Sequence, residues 1–434
     1  MPRFGTCLVV LLVLFIPSVA QPGILNLRGG PGTVVLKDRD SRDSTRYGTL
    51  LLAATYRTPF LEYALDLPLR WEFQSGDFDG DIWNREGDWL RPLKLLRYSS
   101  RTGQLRGGLE VINNWTPGSG YLVRELSGQG EIDYVLPGLK IGWSEGKFDL
   151  EAGMDRAIDP AVIAFGIKWR AVRGVTLILE GASDPEAPLT FSGSSSGGRP
   201  VADDTERLTA RAAGVNLELT EGHILDLAVG AHAGDINGDA RGRGGELSAT
   251  VDFSRSYLNR LHLQFRAIRC ENGYVPAWFD ATYPVYRWGP ISDTNNPYYP
   301  GKPYLIVNPL DGTQPDRKMR SYEIHYDLGG FFSIGAGLDE FTDESMTRGR
   351  INAQLSEGNG RGLEIALWSR SDNPDVRLFS EDSNLHSRVS ALYNILPHLL
   401  VNISFQHAWS FREEELKFLP LNSIMLGVLY DISL

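Results

Sequence analysis

The sequence predicts an all-β protein: a single large antiparallel transmembrane β-barrel of about 18–22 strands, with short turns at one end and long loops at the other. Three observations predict it. Apolar residues recur with a period of two along most of the chain. The gaps between these runs alternate long and short. The last twelve residues form one more alternating strand that ends with the chain.

The clearest alternation is FLEYALDLPLRWEFQ, residues 60–74. Leu61, Tyr63, Leu65, Leu67, Leu69, Trp71 and Phe73 share one face of an extended strand, and Glu62, Asp66, Arg70 and Glu72 share the other. The same pattern recurs at 139–143, 148–154, 163–170, 247–253, 261–267, 322–328 and 399–406. No comparably long stretch places apolar residues at i, i+3, i+4 and i+7, so few helices are expected. Strands of about ten residues suit a membrane barrel better than most sandwiches. Lipid would lie against the apolar face and water against the charged one, which assigns Glu62, Asp66, Arg70, Glu72, Lys168 and Arg170 to the lumen. Trp71 and Phe73 suit an interfacial belt. Pro68 interrupts the run, because it removes one ladder donor and marks a bulge or an edge.

The N-terminus fixes the compartment. MPRFGTCLVVLLVLFIPSVAQ has an early cation at Arg3, an apolar run from Cys7 to Ile16 and a small-residue exit at Ser18-Val19-Ala20. This is a secretory signal peptide, residues 1–20, too short in its apolar run for a spanning helix. Residues 21–46 follow as a segment that is periplasmic, luminal or a first strand, and 47–434 form the barrel. The mature chain keeps one cysteine, Cys270, which excludes an internal disulfide framework. With 43 Lys and Arg against 54 Asp and Glu, the net charge of −11 argues against a nucleic-acid partner.

The gaps supply the second signal. Long candidates at 75–91, 184–204, 234–243, 271–319, 339–345, 371–384 and 411–420 alternate with short ones, including Val172-Arg173, Glu221-Gly222, Ser256-Tyr257, Gly329-Gly330, 357–360 and Leu396-Pro397. Outer-membrane barrels have short periplasmic turns and longer outer loops. The terminal stretch SIMLGVLYDISL resembles the last strand of such barrels. Gly427, Tyr430 and Ile432 match its insertion signal, while Leu434 departs from the usual terminal aromatic. This likeness implies a Gram-negative outer-membrane location, insertion by the barrel-assembly machinery, and outer-membrane lipid with lipopolysaccharide as surroundings.

Three pieces resemble a family of predicted outer-membrane proteins without an established activity. They are residues 90–126, residues 141–185, and GYVPAWFDATYPVYRW, residues 273–288. Where the family would carry Arg-Tyr-Gly and Thr-Leu-Gly-His-Gly, this chain has Arg97-Tyr98-Ser99 and Thr116-Pro117-Gly118-Ser119-Gly120, and lacks the histidine. The resemblance implies location and architecture, not a reaction.

Candidate chemistry is sparse. Asp77, Asp79 and Asp81, and again Asp235, Asn237 and Asp239, alternate oxygen ligands around a glycine, a pattern that suits calcium. Such Asp-Gly and Asn-Gly pairs equally make polar turns. The long loop 271–319 is rich in aromatics, among them Trp278, Phe279, Tyr283, Tyr286 and Trp288. It would extend the wall, fold inward as a constriction or lid, or stack on carbohydrate. The 193–198 GSSSGG stretch reads as a flexible linker. His325 and Asp327 share the polar phase of one strand, the only pair suggesting a barrel-embedded hydrolase; elsewhere enzyme signals are thin, with no HExxH. The sequence therefore predicts a porin-like or substrate-selective passive transport channel rather than an enzyme. A polysaccharide export or surface-assembly barrel is the alternative.

Overall fold

The computed structural model describes residues 23–38, 44–79, 87–113, 115–128, 135–194, 200–220, 224–237, 242–256, 259–271, 279–280, 283, 287, 317–341, 347–358, 361–371, 377–379, 384–396, 398–412 and 417–433. The signal peptide of residues 1–20 therefore lies outside the described residues.

Twenty strands form one antiparallel sheet. They are β1 (Ile24–Asp38), β2 (Ser44–Arg57), β3 (Leu61–Glu72), β4 (Leu93–Ser99), β5 (Leu105–Glu110), β6 (Gly138–Glu145), β7 (Phe148–Met154), β8 (Ile163–Val172), β9 (Val175–Ser194) and β10 (Pro200–Thr220). They continue with β11 (Leu225–Asn237), β12 (Gly242–Ser256), β13 (Asn259–Glu271), β14 (Arg317–Leu328), β15 (Phe332–Phe341), β16 (Thr347–Gly358), β17 (Arg361–Ser371), β18 (Asn384–Leu396), β19 (Leu399–Arg412) and β20 (Lys417–Ser433). Each strand pairs with its neighbours in sequence, and β1 pairs with β20, so the sheet closes. Across that seam Arg28 meets Asp431 at 3.3 Å. The segment 21–46 thus supplies the first strand, and the barrel begins at Ile24 rather than at residue 47.

The predicted rhythm of the connections holds. The connections β2–β3, β4–β5 and so on to β18–β19 are two to five residues long and lie at one end. Gly329 and Gly330, between β14 and β15, both carry positive φ, a conformation that tight hairpins require and glycine adopts freely. At the opposite end, 73–92, 111–137 and 272–316 are the longest. Several expected loops shrink, because the strands run on through them. β9 and β10 consume most of 184–204, β11 and β12 leave only 238–241, and β19 and β20 leave only 413–416. Conversely, 111–137 is a long connection that the alternating pattern did not mark.

The apolar face of most strands points outward. On β20, Ile424, Leu426, Val428, Tyr430 and Ile432 are exposed, while Leu429 and Asp431 between them are buried. A closed sheet with this exterior spans a bilayer, since neighbouring strands pair all the way round and leave no open edge. One expectation fails. Tyr63 and Leu65 lie on the outward phase of β3, yet they are only 3% and 5% exposed, whereas Trp71 and Phe73 are 36% and 57% exposed. Tyr63 and Leu65 pack with Tyr56, Leu90, Leu93 and Leu136, so protein and not lipid covers them.

The same region explains Pro68. The β3–β4 ladder ends at Leu65↔Leu93. Above it, the Asp66 amide donates to Pro92 O and the Asp79 amide donates to Arg70 O. Even-numbered residues of β3 therefore present their backbone to the side that β4 has left. Pro68 occupies the position between Asp66 and Arg70 and has no N–H to leave unpaired.

The lipid and lumen phases give different mutational costs. Ile403→Arg, on the exposed phase of β19, is expected to lower folding stability by about 2–4 kcal/mol, and Ser404→Arg by less than about 1 kcal/mol. Reversible folding into lipid vesicles, titrated with urea, measures both; equal losses would refute the assigned phases.

Candidate functional site in the barrel lumen

The six residues expected in the lumen lie on the phase opposite the apolar residues of their strands. Glu62 pairs across from Arg57 and lies 3.7 Å from Arg97. Asp66 lies within electrostatic reach of the Lys94 ammonium. Arg70 meets Asp79 at 3.0 Å, and Glu72 accepts from Ser75 Oγ. Arg170 holds Asp149 at 2.6 Å, and Lys168 lines a cavity of about 230 Å³ with Glu151 and Arg106. A larger cavity of about 940 Å³ lies at the short-turn end, lined by Glu62, Arg97, Glu110, Lys140 and Trp115 together with the turn residues Thr58 and Ser100. Glu110 links two of its cations, with Arg97 at 2.6 Å and Lys140 at 2.8 Å.

Two of the acidic positions expected to ligate calcium are paired with arginines. Asp79 is engaged by Arg70, and Asp235 forms a two-pronged pair with Arg211 at 2.9 and 3.1 Å. The Asp77 amide donates to Ser75 Oγ at 3.1 Å. Asn237 ends β11, and Asp81 and Asp239 lie outside the described residues.

Part of the connection between β5 and β6, residues 115–128, folds into the lumen. Trp115 and Leu126 exchange two backbone hydrogen bonds, at 3.0 and 2.9 Å, which close residues 116–125 into a hairpin. Ile112, Tyr121, Leu122, Val123 and Leu126 are fully buried. Gly118 and Gly120 have positive φ, and so does Glu125, a non-glycine residue held in a strained conformation. The tip rests directly on the wall, since a Cβ on Gly166 of β8 would sit 2.3 Å from Gly118 N. On β9, the Glu180 carboxylate accepts from the Ser119 amide and hydroxyl and, at 3.1 Å, from the Leu122 amide. Tyr121 stacks on His232 of β11, with ring centroids 6.0 Å apart.

The loop ends on a buried cluster of charge. Arg124 reaches Ser321 Oγ at 3.3 Å and Asp339 at 3.4 Å. Arg350 reaches Glu125 at 2.9 Å, Glu323 at 2.6 Å and Asp339 at 3.7 Å. Arg348 bridges Asp339 at 3.3 Å and Asp280 at 3.2 Å. Each charge has an opposite partner, as low-dielectric surroundings demand. Burial pushes the Glu125 carboxyl above its ordinary range, and the Arg350 guanidinium opposes that shift.

The aromatic connection 271–319 contributes a second inward piece. Its last three residues belong to β14. Phe279 forms a parallel bridge with Val123, and its carbonyl accepts from the Arg124 amide. Tyr283 donates to Asp184 at 2.8 Å, and Arg287 lies 3.4 Å from the same carboxylate. The two inward pieces therefore support one another as well as the wall. Trp278, Tyr286 and Trp288 lie outside the described residues. His325 and Asp327 share a face of β14 as expected, but Asp327 accepts from the Gly330 amide at the turn. His325 instead lines a small cavity with Glu323, Arg350 and Glu364.

These features define the class: a closed β-barrel of the outer-membrane type, with apolar exterior, charged interior and two connections folded into the lumen. No protein-family model matches the chain, and no curated protein matches it. Among solved structures, the chain is similar to OpdQ of Pseudomonas aeruginosa at 10% identity and a TM-score of 0.36, over 95% of this chain and all of that one. It is similar to OpdK of the same organism at 11% identity and 0.34, over 95% and 99%. A loop-deletion mutant of OmpT, an outer membrane protein of Vibrio cholerae, is similar at 11% and 0.35, over 95% and 100%. At these values the likenesses assign neither substrate nor mechanism.

Gly166→Val is expected to unseat the loop, and Glu180→Ala to weaken its seat by about 1–3 kcal/mol through the lost acceptor. In folded, detergent-solubilised protein both variants should be cut by trypsin after Arg124, where the wild type resists. Glu125 adds a pH dependence. Its carboxyl titrates higher when seated than when free, so the seated state gains relative stability as pH falls through the window above the ordinary carboxylate range. Transient loop openings, counted as current bursts in planar bilayers, should become rarer from neutral to mildly acid pH. They should lose that dependence in Glu125→Gln; an unchanged slope would refute the role of this carboxyl.

Proposed function

We propose that this chain is a passive, solute-selective channel of a Gram-negative outer membrane, narrowed by the hairpin 115–126 and the segment around 279–287. One observation carries the reading. The hairpin is rooted between β5 and β6, yet Arg124 pairs with Asp339 on β15, ten strands around a barrel of twenty. It therefore crosses the lumen from one wall to the opposite one. Polar and charged side chains line the cavities on both sides of it.

In this reading Glu62, Asp66, Arg70, Glu72, Lys168 and Arg170 set the field that a passing solute meets at the wall. The buried cluster at Asp339 holds the hairpin in place and leaves those side chains to discriminate. The outward face of β20 supports insertion by the barrel-assembly machinery, with lipopolysaccharide among the surrounding lipids.

Planar-bilayer recording of the mature protein tests the proposal. Wild type should give discrete conductance steps, and replacing 116–125 by a short glycine linker should enlarge them severalfold. Equal steps in the two proteins would remove the hairpin as the constriction. No steps in either, from protein shown to be folded by its heat-sensitive mobility in detergent gels, would overturn the channel.

A further inference from the structure

The small cavity beside His325 gathers polar side chains with hydrogen-bonding capacity to spare. Asn113, His325, Asn352 and Glu364 all line it. Among the described residues, no side-chain hydrogen bond or ion pair engages any of the four.

The register of the wall assembles this site. His325 on β14, Gly335 on β15, Asn352 on β16, Ala366 on β17 and Arg388 on β18 stand directly opposite one another. Large polar residues alternate with small ones along that row, so Gly335 and Ala366 leave hollows between them. Asn352 and His325 lean into the first hollow. A Cβ on Gly335 would lie 2.2 Å from Asn352 Oδ1 and 3.0 Å from His325 Nδ1. The next row bounds the cavity with Glu323, Arg350, Trp368 and His386, and Glu364 lies on the other side of Ala366. The connection between β5 and β6 contributes Asn113, Glu125 and Ser127.

Size and chemistry narrow the ligand. The cavity measures about 70 Å³, on a scale where one enclosed water takes about 10–15 Å³. It has room for about five to seven waters, or about 150–210 Å³ of liquid, the bulk of one monosaccharide. Its charges disfavour an anion, because Glu125, Glu323 and Glu364 outnumber Arg350 and Arg388. Arg350 is already shared by Glu125 at 2.9 Å and Glu323 at 2.6 Å. The spare groups are one carboxylate, two amides and an imidazole, which between them donate and accept. That mixture matches hydroxyl groups, each able to donate one hydrogen bond and accept two. Ala366 and Trp368 add apolar surface for the C–H groups of a sugar ring.

We propose, resting on the channel reading above, that this cavity binds the solute in transit and that the solute is a neutral sugar of one ring. Saturation-transfer NMR of glucose with the mature protein in detergent tests this. Glucose should bind saturably, and more tightly than gluconate or glutamine, which offer a carboxylate and a zwitterion of similar size. Asn352→Ala and Glu364→Ala should each weaken glucose binding by about tenfold, while the barrel keeps its heat-sensitive gel mobility. Absence of saturable glucose binding would overturn the proposal. So would tighter binding of gluconate or glutamine, or glucose binding indifferent to both variants. The readout is binding and not current. A barrel that conducts without binding glucose loses the sugar site and keeps the channel; one that binds glucose without conducting keeps the site and loses the channel.

Discussion

One constraint governs this barrel: a backbone N–H or C=O exposed to hydrocarbon has no water to turn to, and leaving it unpaired costs several kcal/mol. Closure of β1 on β20 removes the two edges that an open sheet would expose. The alternation follows from the same requirement, because a paired strand must give one face to lipid and the other to the lumen. Where β4 ends early, the edge of β3 is managed residue by residue. Asp66 and Arg70 take partners from the neighbouring connection, and the position between them is a proline.

Inside the wall the problem is reversed. A loop that crosses a lumen brings its own backbone and charges into a narrow space, away from bulk water. The chain resolves this by pairing. Glu180 absorbs three donors at the turn 119–122, and Asp339 stands among Arg124, Arg348 and Arg350. Buried ion pairs of this kind add little net stability over an apolar contact, but removing one partner is strongly unfavourable. Their value lies in specifying one position for the loop. A purely apolar plug would tolerate many.

That division explains what was legible in the sequence. Period-two patterning revealed the barrel, its strand number within a narrow range and the alternation of turns and loops, because each depends on residues next to one another in the chain. The phase that Glu62, Asp66, Arg70 and Lys168 share, opposite their apolar neighbours, followed for the same reason. The hairpin 115–126 was not legible. Its buried residues follow no helix or strand period, and its partners are remote: Arg124 and Asp339 are 215 residues apart. Phe279 and Tyr283 could be singled out as unusual loop aromatics, but not matched to Val123 and Asp184. Tyr63 and Leu65 look like lipid-facing residues locally, and it takes Tyr56 and Leu93 on the adjacent strands with Leu90 and Leu136 from two connections to cover them. The arginine partners of Asp79 and Asp235 lie on other elements, outside what the local pattern shows.

The low wall and the crossed lumen are two aspects of one choice. β5 has six residues and β6 eight, and between them the chain sends residues 115–128 inward. Had those residues continued the two strands, the wall would reach the height of its neighbours and the lumen would lack its hairpin. The turn inward is built into the packing at the top of β6, where a Cβ on Gly138 would lie 2.3 Å from Met154 O and 2.5 Å from the Ile112 side chain. Only a residue without a side chain lets the two limbs leave the wall there. The inner face and the outer face of this sector are therefore coupled. A side chain at Gly138 would press on Ile112 and on the carbonyls of Met154 and Asp155, at the root from which the hairpin departs.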